Sequence, residues 1–382
     1  ARYTSGARMS CLFTFPSPMT TTNDPNTARP RFGLDGAACV FDYPPGVARV
    51  AREVICGLES NPEIECVPLV PAVDDAQRTW RHRELPRLEK RLGLDGILSF
   101  TSAFPLFGKG LRVQTIHELP WRHGESENAD RSHKLWAKHG RRRASKIIVP
   151  SQHVWDDLNG FAPAAAARAA VIPWGTSAPF GQETSEQDSS GTPDELIPKG
   201  PYFLAVGATR SKKRLHSAIQ GLAPFGKRGP RLVVTGPVTA EVESAMRLAK
   251  TFGIEKRMRF IGTVNDELLA LLYSKATATL VLAGSEGFGF PALESMAAGT
   301  NVLHPPLTAQ AELLRDLGTS VVPDLPDSVA KGMESALEEW RSSAALPRRK
   351  ERINRAKQFT WQRTCTAIAG VLRDAVRSRS QA

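Results

Sequence analysis

Short apolar runs rich in β-branched residues alternate along this chain with stretches of helical periodicity, and the alternation occurs twice with a polar interruption between. In the first half the apolar runs predict strands at 31–34, 64–69, 96–100, 111–117, 146–150 and 169–173, with helices at 46–60, 76–92 and 128–144. The second half repeats the pattern more cleanly. Its strands are expected at 202–206, 231–235, 258–261, 278–282, 301–304 and 320–322, and its helices at 215–222, 240–252, 266–273, 291–298, 309–317 and 328–340. Strand, helix, strand in sequence is the βαβ unit of a parallel sheet, so the chain reads as α/β with two doubly wound, Rossmann-like domains. Sheets of this kind bind ligands beyond the carboxyl ends of their strands, which makes an interdomain cleft the expected site.

The domain organisation follows from the interruptions. Residues 1–30 are Thr/Pro-rich and lack a secretory h-region, so they read as a flexible leader outside the fold. The first domain is expected over 31–178 and a polar, Pro/Gly/Ser-rich linker over 179–200. The second domain spans 201–357, and a basic helical stretch at about 358–378 can pack back on the first.

Composition narrows the function classes. With 382 residues, 41% hydrophobic and 23% charged, the chain is neither a single small binding module nor globally disordered. No apolar run approaches the ~20 residues that cross a bilayer. Five cysteines without a CxxC pair indicate neither a disulfide framework nor a zinc site, and a reducing cytoplasm is the simplest compartment. A net charge of +11 favours an anionic partner: nucleotide phosphates, nucleic acid or an acidic membrane surface. The clusters Arg141-Arg142-Arg143 and Arg348-Arg349-Lys350 keep a nucleic-acid-binding protein as a rival, although no aromatic interleaving accompanies them.

The chemistry concentrates in the segment from Thr277 to Leu303. A buried strand runs into the loop Gly287-Phe288-Gly289-Phe290, with Pro291 where a first-turn proline belongs and Gly299 where a helix-ending glycine belongs. Such a loop offers backbone N–H groups and the helix dipole to a phosphate. Glu286 precedes the turn and Glu294 follows it on the helix, a carboxylate pair that can meet vicinal hydroxyls.

The stretch SEGFGFPALESMAAGT resembles the E-x7-E motif of retaining glycosyltransferases of family 4, which have the GT-B fold. Further segments resemble that family in order: Pro45-Gly46-Val47-Ala48-Arg49 its N-terminal glycine loop, Gln114 to Leu119 its T-[IV]-H-[DE]-L segment, and Ile147 to Ser151 a strand end. Val171 to Thr176, Phe203 to Lys213 and Phe260-Ile261-Gly262 continue the likeness, which covers roughly residues 31–340. The resemblance implies that Glu294 holds the ribose of a nucleotide and that Glu286 contacts the donor sugar. It implies that Lys213, assisted by Lys212 or Arg210 near Gly207, neutralises the diphosphate, that His117 approaches the reacting sugar, and that Gly46, Val47 and Arg49 form an acceptor or phosphate loop.

The implied activity is metal-independent, retaining hexosyl transfer from a GDP- or UDP-linked sugar, with mannose favoured because TIHEL and PPGVAR look most like mannosyltransferases. A glycan or lipid-linked acceptor, polysaccharide or lipopolysaccharide assembly, and peripheral contact with an anionic inner membrane face complete the expectation, with no nucleic acid as partner. No DxD-type metal pair stands in a strand-end loop, and no metal site is expected. A phosphorylase or epimerase of the same fold, or a non-catalytic nucleotide-sugar or nucleic-acid binder, is the alternative. The sequence departs from the family at Ala208, where relatives carry arginine, at Trp174 for asparagine and at Asn301 for proline.

Overall fold

A computed structural model describes residues 29–124, 131–181 and 197–380. Most of the expected leader, most of the expected linker and the start of the helix expected at 128 lie outside the described residues. The chain divides into two compact units. One takes the chain up to Leu119, resumes at Asn128 through Gly175 and recovers the terminal segment from Trp361, while the other holds Thr176–Thr360 with Pro120–Glu127.

The first unit contains strands β1 (Arg31–Asp35), β2 (Glu65–Leu69), β3 (Gly96–Ser99), β4 (Leu111–Thr115), β5 (Lys146–Val149) and β6 (Ala169–Val171). All pair in parallel in the order β2-β1-β3-β4-β5-β6. Their buried faces carry Phe32, Leu34, Ile97, Leu98, Val113, Ile147 and Ile148, as the β-branched runs require. Helices Pro45–Leu58 and Trp361–Ser380 pack on each other within this unit. The Thr364 hydroxyl, on the second of these helices, donates to Pro173 O at 2.8 Å.

The second unit contains β7 (Tyr202–Val206), β8 (Arg231–Thr235), β9 (Met258–Phe260), β10 (Ala278–Leu280), β11 (Asn301–His304) and β12 (Thr319–Ser320). Its parallel order is β12-β11-β10-β7-β8-β9. The order reverses between β7 and β10, so the carboxyl ends of these two strands flank the switch point of a doubly wound sheet. The core beneath includes Phe203, Leu232, Val234, Leu280, Leu303, Val329 and Met333.

Side chains set the helix starts: Ser151 accepts from Val154 N at 3.2 Å, Asn265 from Leu268 N at 2.9 Å and Thr308 from Ala311 N at 3.4 Å. The expected helix at 76–92 is broken into Gln77–Thr79, a π turn at Trp80–Glu84 and Leu85–Leu92. Helices Ala37–Val40, Gln152–Phe161 and Pro163–Ala166 were not among the expected elements, being short or weakly patterned. The units part at Gly175/Thr176 and Thr360/Trp361, where Thr176 bridges Thr360 in parallel and its N–H donates to Phe359 O at 3.1 Å. That pairing commits both segments to the second unit, three residues from each sequence-based boundary.

Candidate functional site

In the second unit two loops meet at the switch point. Behind β7, Gly207 N donates to Thr235 O at 3.0 Å, and the chain makes a 3-10 turn over Ser211–Lys213 that ends at Arg214 in the left-handed region. Behind β10, the chain runs through Glu286 to Gly289, the N-cap of the helix Phe290–Ala297. The Lys213 ammonium donates to Glu286 Oε1, and only 10% and 12% of the two side chains are exposed. Burial alone would push the Glu286 carboxyl up, but the charges of Lys213 and Lys212, the Lys213 hydrogen bond and the charge of Arg210 hold it below the ordinary carboxylate range. Lys212 is itself 5% exposed, whereas Arg210 is exposed. Three cations therefore converge on one carboxylate.

The helix after the loop is buried on nearly all faces, with Ala292 through Ala297 all inside. Pro291 stands in its first turn, and Gly289 takes φ 92°, a conformation that a side chain resists. A Cβ at Gly289 would meet Gln310 Cγ at 3.1 Å. The helix ends in a Schellman pair, Gly299 N to Met296 O and Thr300 N to Ser295 O, both 2.9 Å, with Gly299 at φ 78°. Phe288 turns into the core and meets Phe290 and Phe359 edge to face, at 5.4 and 6.3 Å between centroids.

Glu294 is carried into the interior at 4% exposure, and the Tyr273 hydroxyl donates to its Oε2 at 2.9 Å. Tyr273 is held in turn, because its carbonyl accepts from Thr300 Oγ1 at 2.7 Å and its ring meets Phe180 edge to face. Neither Tyr273 nor Gln310 carries a signal in the sequence. Gln310 is fully buried, donates from Nε2 to Ala283 O at 3.3 Å and packs beneath Gly289, so one amide touches both ends of the Glu286 loop.

In the first unit, Gly46, Val47 and Arg49 do not form a loop ahead of a helix; they occupy the opening turns of the helix Pro45–Leu58, because Pro45 is pre-set for its N-terminus. His117 follows β4, and its Nε2 lies 2.9 Å from Phe100 O. A carbonyl only accepts, so Nε2 carries the proton and Nδ1 is left as an acceptor. Burial pulls this imidazole below its ordinary range, so it is neutral. Its ring lies 5.7 Å from Trp174, which stacks on Trp361 at 6.5 Å. The Trp174 departure is thus a core residue tying the β6 end to the terminal helix. Asn301, the other departure, is buried and links β11 to Thr319 Oγ1 at 3.0 Å.

Asp35 also escaped the sequence reading. It ends β1 at 5% exposure, accepting from Trp80 Nε1 at 2.9 Å and Ala37 N at 3.1 Å, while burial pushes its carboxyl up. A carboxylate closing the run RFGLD just before Gly36 was the available signal.

Comparison with known proteins follows this geometry. Residues 192–359 match the family model described as Glycosyl transferases group 1. The O-antigen chain mannosyltransferase B of Escherichia coli is 29% identical over 170 residues, 43% of this chain and 43% of that protein. This chain therefore spans less than half the length of that curated relative. Among solved structures, WaaG, a glycosyltransferase involved in lipopolysaccharide biosynthesis, aligns with a TM-score of 0.65 at 14% identity, covering 90% of this chain and 99% of the other. The Anabaena protein HepE, in complex with UDP and glucose, aligns with a TM-score of 0.68 at 16% identity over 91% of this chain and 100% of its own. The two parallel six-stranded sheets and these full-length likenesses give the chain the two-domain α/β GT-B fold, and its second half carries the glycosyl transferases group 1 region.

Proposed function

We propose that the protein is a retaining glycosyltransferase that moves a hexose from a nucleoside diphosphate sugar to a hydroxyl of a glycan or lipid-linked acceptor in polysaccharide or lipopolysaccharide assembly. The observation that carries the reading is the Lys213–Glu286 pair at the switch point, eight residues ahead of the buried Glu294 in the E-x7-E spacing. In this reading the diphosphate takes over Lys213, with Lys212 and Arg210 beside it, and the released Glu286 accepts from hydroxyls of the donor sugar. Glu294, oriented by Tyr273, accepts from the ribose hydroxyls, and the turn Gly287 to Phe290 borders the phosphates. Gly207 lets the β7 loop lie close to the nucleotide.

The C1–O bond to the leaving phosphate breaks with its electron pair passing to the phosphate oxygen. The acceptor oxygen bonds C1 on the same face, and its proton passes to that departing oxygen. Fixed cations stabilise the charge that grows on the leaving group, so activity is expected to be metal-independent and to survive excess EDTA. His117, neutral with Nδ1 as acceptor, accepts from a sugar hydroxyl, and Gly46, Val47 and Arg49 border the acceptor.

Mannose is favoured as the transferred sugar, in line with the relative described as an O-antigen mannosyltransferase, while HepE in complex with UDP and glucose keeps UDP-glucose in the test. Among the described residues no helix is long and apolar enough to cross a membrane. Peripheral contact with an anionic cytoplasmic leaflet belongs to the same proposal, supported by the +11 charge and by exposed Phe107 and Leu135 near basic residues. The test is release of nucleoside diphosphate from GDP-mannose, UDP-glucose and ADP-glucose by wild type and Glu286→Gln. Release from none, or equal release by both proteins, overturns the reading.

A further inference from the structure

The amino-terminal edge of the second sheet carries a basic cavity that the proposed donor site does not use. It is an open surface hollow of about 490 Å³ lined by Lys199, ahead of β7, Arg231, the first residue of β8, and Lys256, Arg257 and Arg259 at and before β9, with Lys199, Arg231 and Lys256 exposed. Lys213 and Glu286 stand at the opposite, carboxyl-terminal edge of the same parallel sheet.

The cations here are not spent on carboxylates. Among the described residues no carboxylate pairs with Lys199, Arg231, Lys256 or Arg259, and Arg231 donates only to Lys199 O, at 3.4 Å. Arg257 is 4% exposed and satisfies its guanidinium on carbonyls, Nε to Pro230 O at 2.8 Å and Nη1 to Leu222 O at 3.3 Å. Its charge therefore stays uncompensated, although burial pulls its pKa down to about 10. These carbonyl bonds also fix the turn that leads into Arg231. Met258 and Pro198 add apolar floor. Like charges held together in a concave site repel one another, and an anion seated among them removes that repulsion.

We propose that this cavity binds a diphosphate or phosphomonoester group, held by Arg231 and Arg259 in the bidentate manner open to guanidinium, with Lys199 and Lys256 completing the charge. The site is independent of the donor site and of the function proposed above. Two sources share this chemistry: a soluble diphosphate and a phospholipid headgroup.

The test is thermal denaturation of the full chain carrying Lys213→Ala, which disables the expected diphosphate contact at the other edge. It is run with inorganic pyrophosphate, with dihexanoyl phosphatidic acid below its micelle concentration, and with neither, and is repeated after adding Arg231→Gln and Arg259→Gln. A Tm rise of about 2–4 °C with pyrophosphate that vanishes in the triple variant supports the site and a soluble diphosphate. The same loss seen only with the phosphatidic acid supports the site and a headgroup. No rise with either probe, or a rise that persists in the triple variant, overturns the proposal. Circular dichroism of the triple variant confirms that it folds, and without ligand at low salt its Tm is expected to equal or exceed that of the parent, since repulsion is removed.

Discussion

Lys213 and Glu286 are 73 residues apart in the chain yet share a buried hydrogen-bonded ion pair, because β7 and β10 are hydrogen-bonded neighbours and each loop leaves the carboxyl end of its strand. In the proposed reading a phosphate takes over Lys213 and sugar hydroxyls donate to Glu286, so each group exchanges one hydrogen-bond partner for another.

Glu286→Gln is expected to lower transfer at least about 10²-fold, and Lys213→Ala to weaken nucleoside diphosphate binding by about 1.5–3 kcal/mol, the range for hydrogen bonds to charged groups. The double variant should cost less than the sum of the single ones, since each single change strands a buried charge. Steady-state kinetics and calorimetry on the cycle check this. Strict additivity would mean that the two groups act independently.

Tyr273→Phe removes the hydroxyl that holds Glu294 Oε2 and leaves the ring against Phe180. Nucleoside diphosphate affinity should fall about tenfold with a small loss of Tm. Calorimetry with the nucleotide and with inorganic pyrophosphate separates the effects, because only the ribose-bearing ligand should lose affinity.

Gly289→Ala meets two obstacles, a φ of 92° and Gln310 Cγ at 3.1 Å from the new Cβ. The substitution should destabilise the chain by about 1–3 kcal/mol and displace the Glu286 loop. Chemical denaturation measures the first and nucleotide-sugar turnover the second. Unchanged stability would show that the turn relaxes freely.

In the first unit, Arg112 and Glu89 form a bidentate pair at 2.8 and 2.9 Å with side-chain exposures of 6% and 5%, and Arg112 also donates to Pro105 O and Phe107 O. Glu89→Gln leaves the buried guanidinium without its counter-charge and should cost about 3–5 kcal/mol. If the loss comes mainly from the loop that Arg112 ties, hydrogen exchange will rise first around Phe107.

Burial pulls His117 and His304 below the ordinary value of 6.5. The folded chain keeps both neutral while the unfolded chain takes up protons near 6.5. Their contribution to stability is therefore present above that pH and is lost as pH falls through it toward the folded values. Glu286, also depressed, acts in the same direction at lower pH, below its unfolded value near 4.5. The Tm should be level between pH 7 and 8 and fall toward pH 5.5, with a shallower fall in His117→Gln. Identical slopes would remove His117 from the account.

The twelve strands were legible in the sequence, because a parallel sheet covered on both faces demands continuous apolar runs, and YFLAV, RLVVT and KIIV have few other structures open to them. Pro291 and Gly299 were legible for a related reason: first-turn and helix-ending geometry each select a residue type. Motif spacing marked Glu286, Glu294 and Lys213 as candidates, but what these groups touch depends on strand order, which local pattern does not encode. Placing β10 beside β7 brought Lys213 to Glu286, and the fold of the second unit brought Tyr273 to Glu294 and Gln310 beneath Gly289. Short helices such as Ala37–Val40 lay below the reach of periodicity because tertiary packing, rather than propensity, holds them. The chain's own pattern therefore determined its elements and the chemistry on offer. The pairing of distant strands, a property of the whole sheet, decided which charges would be buried together.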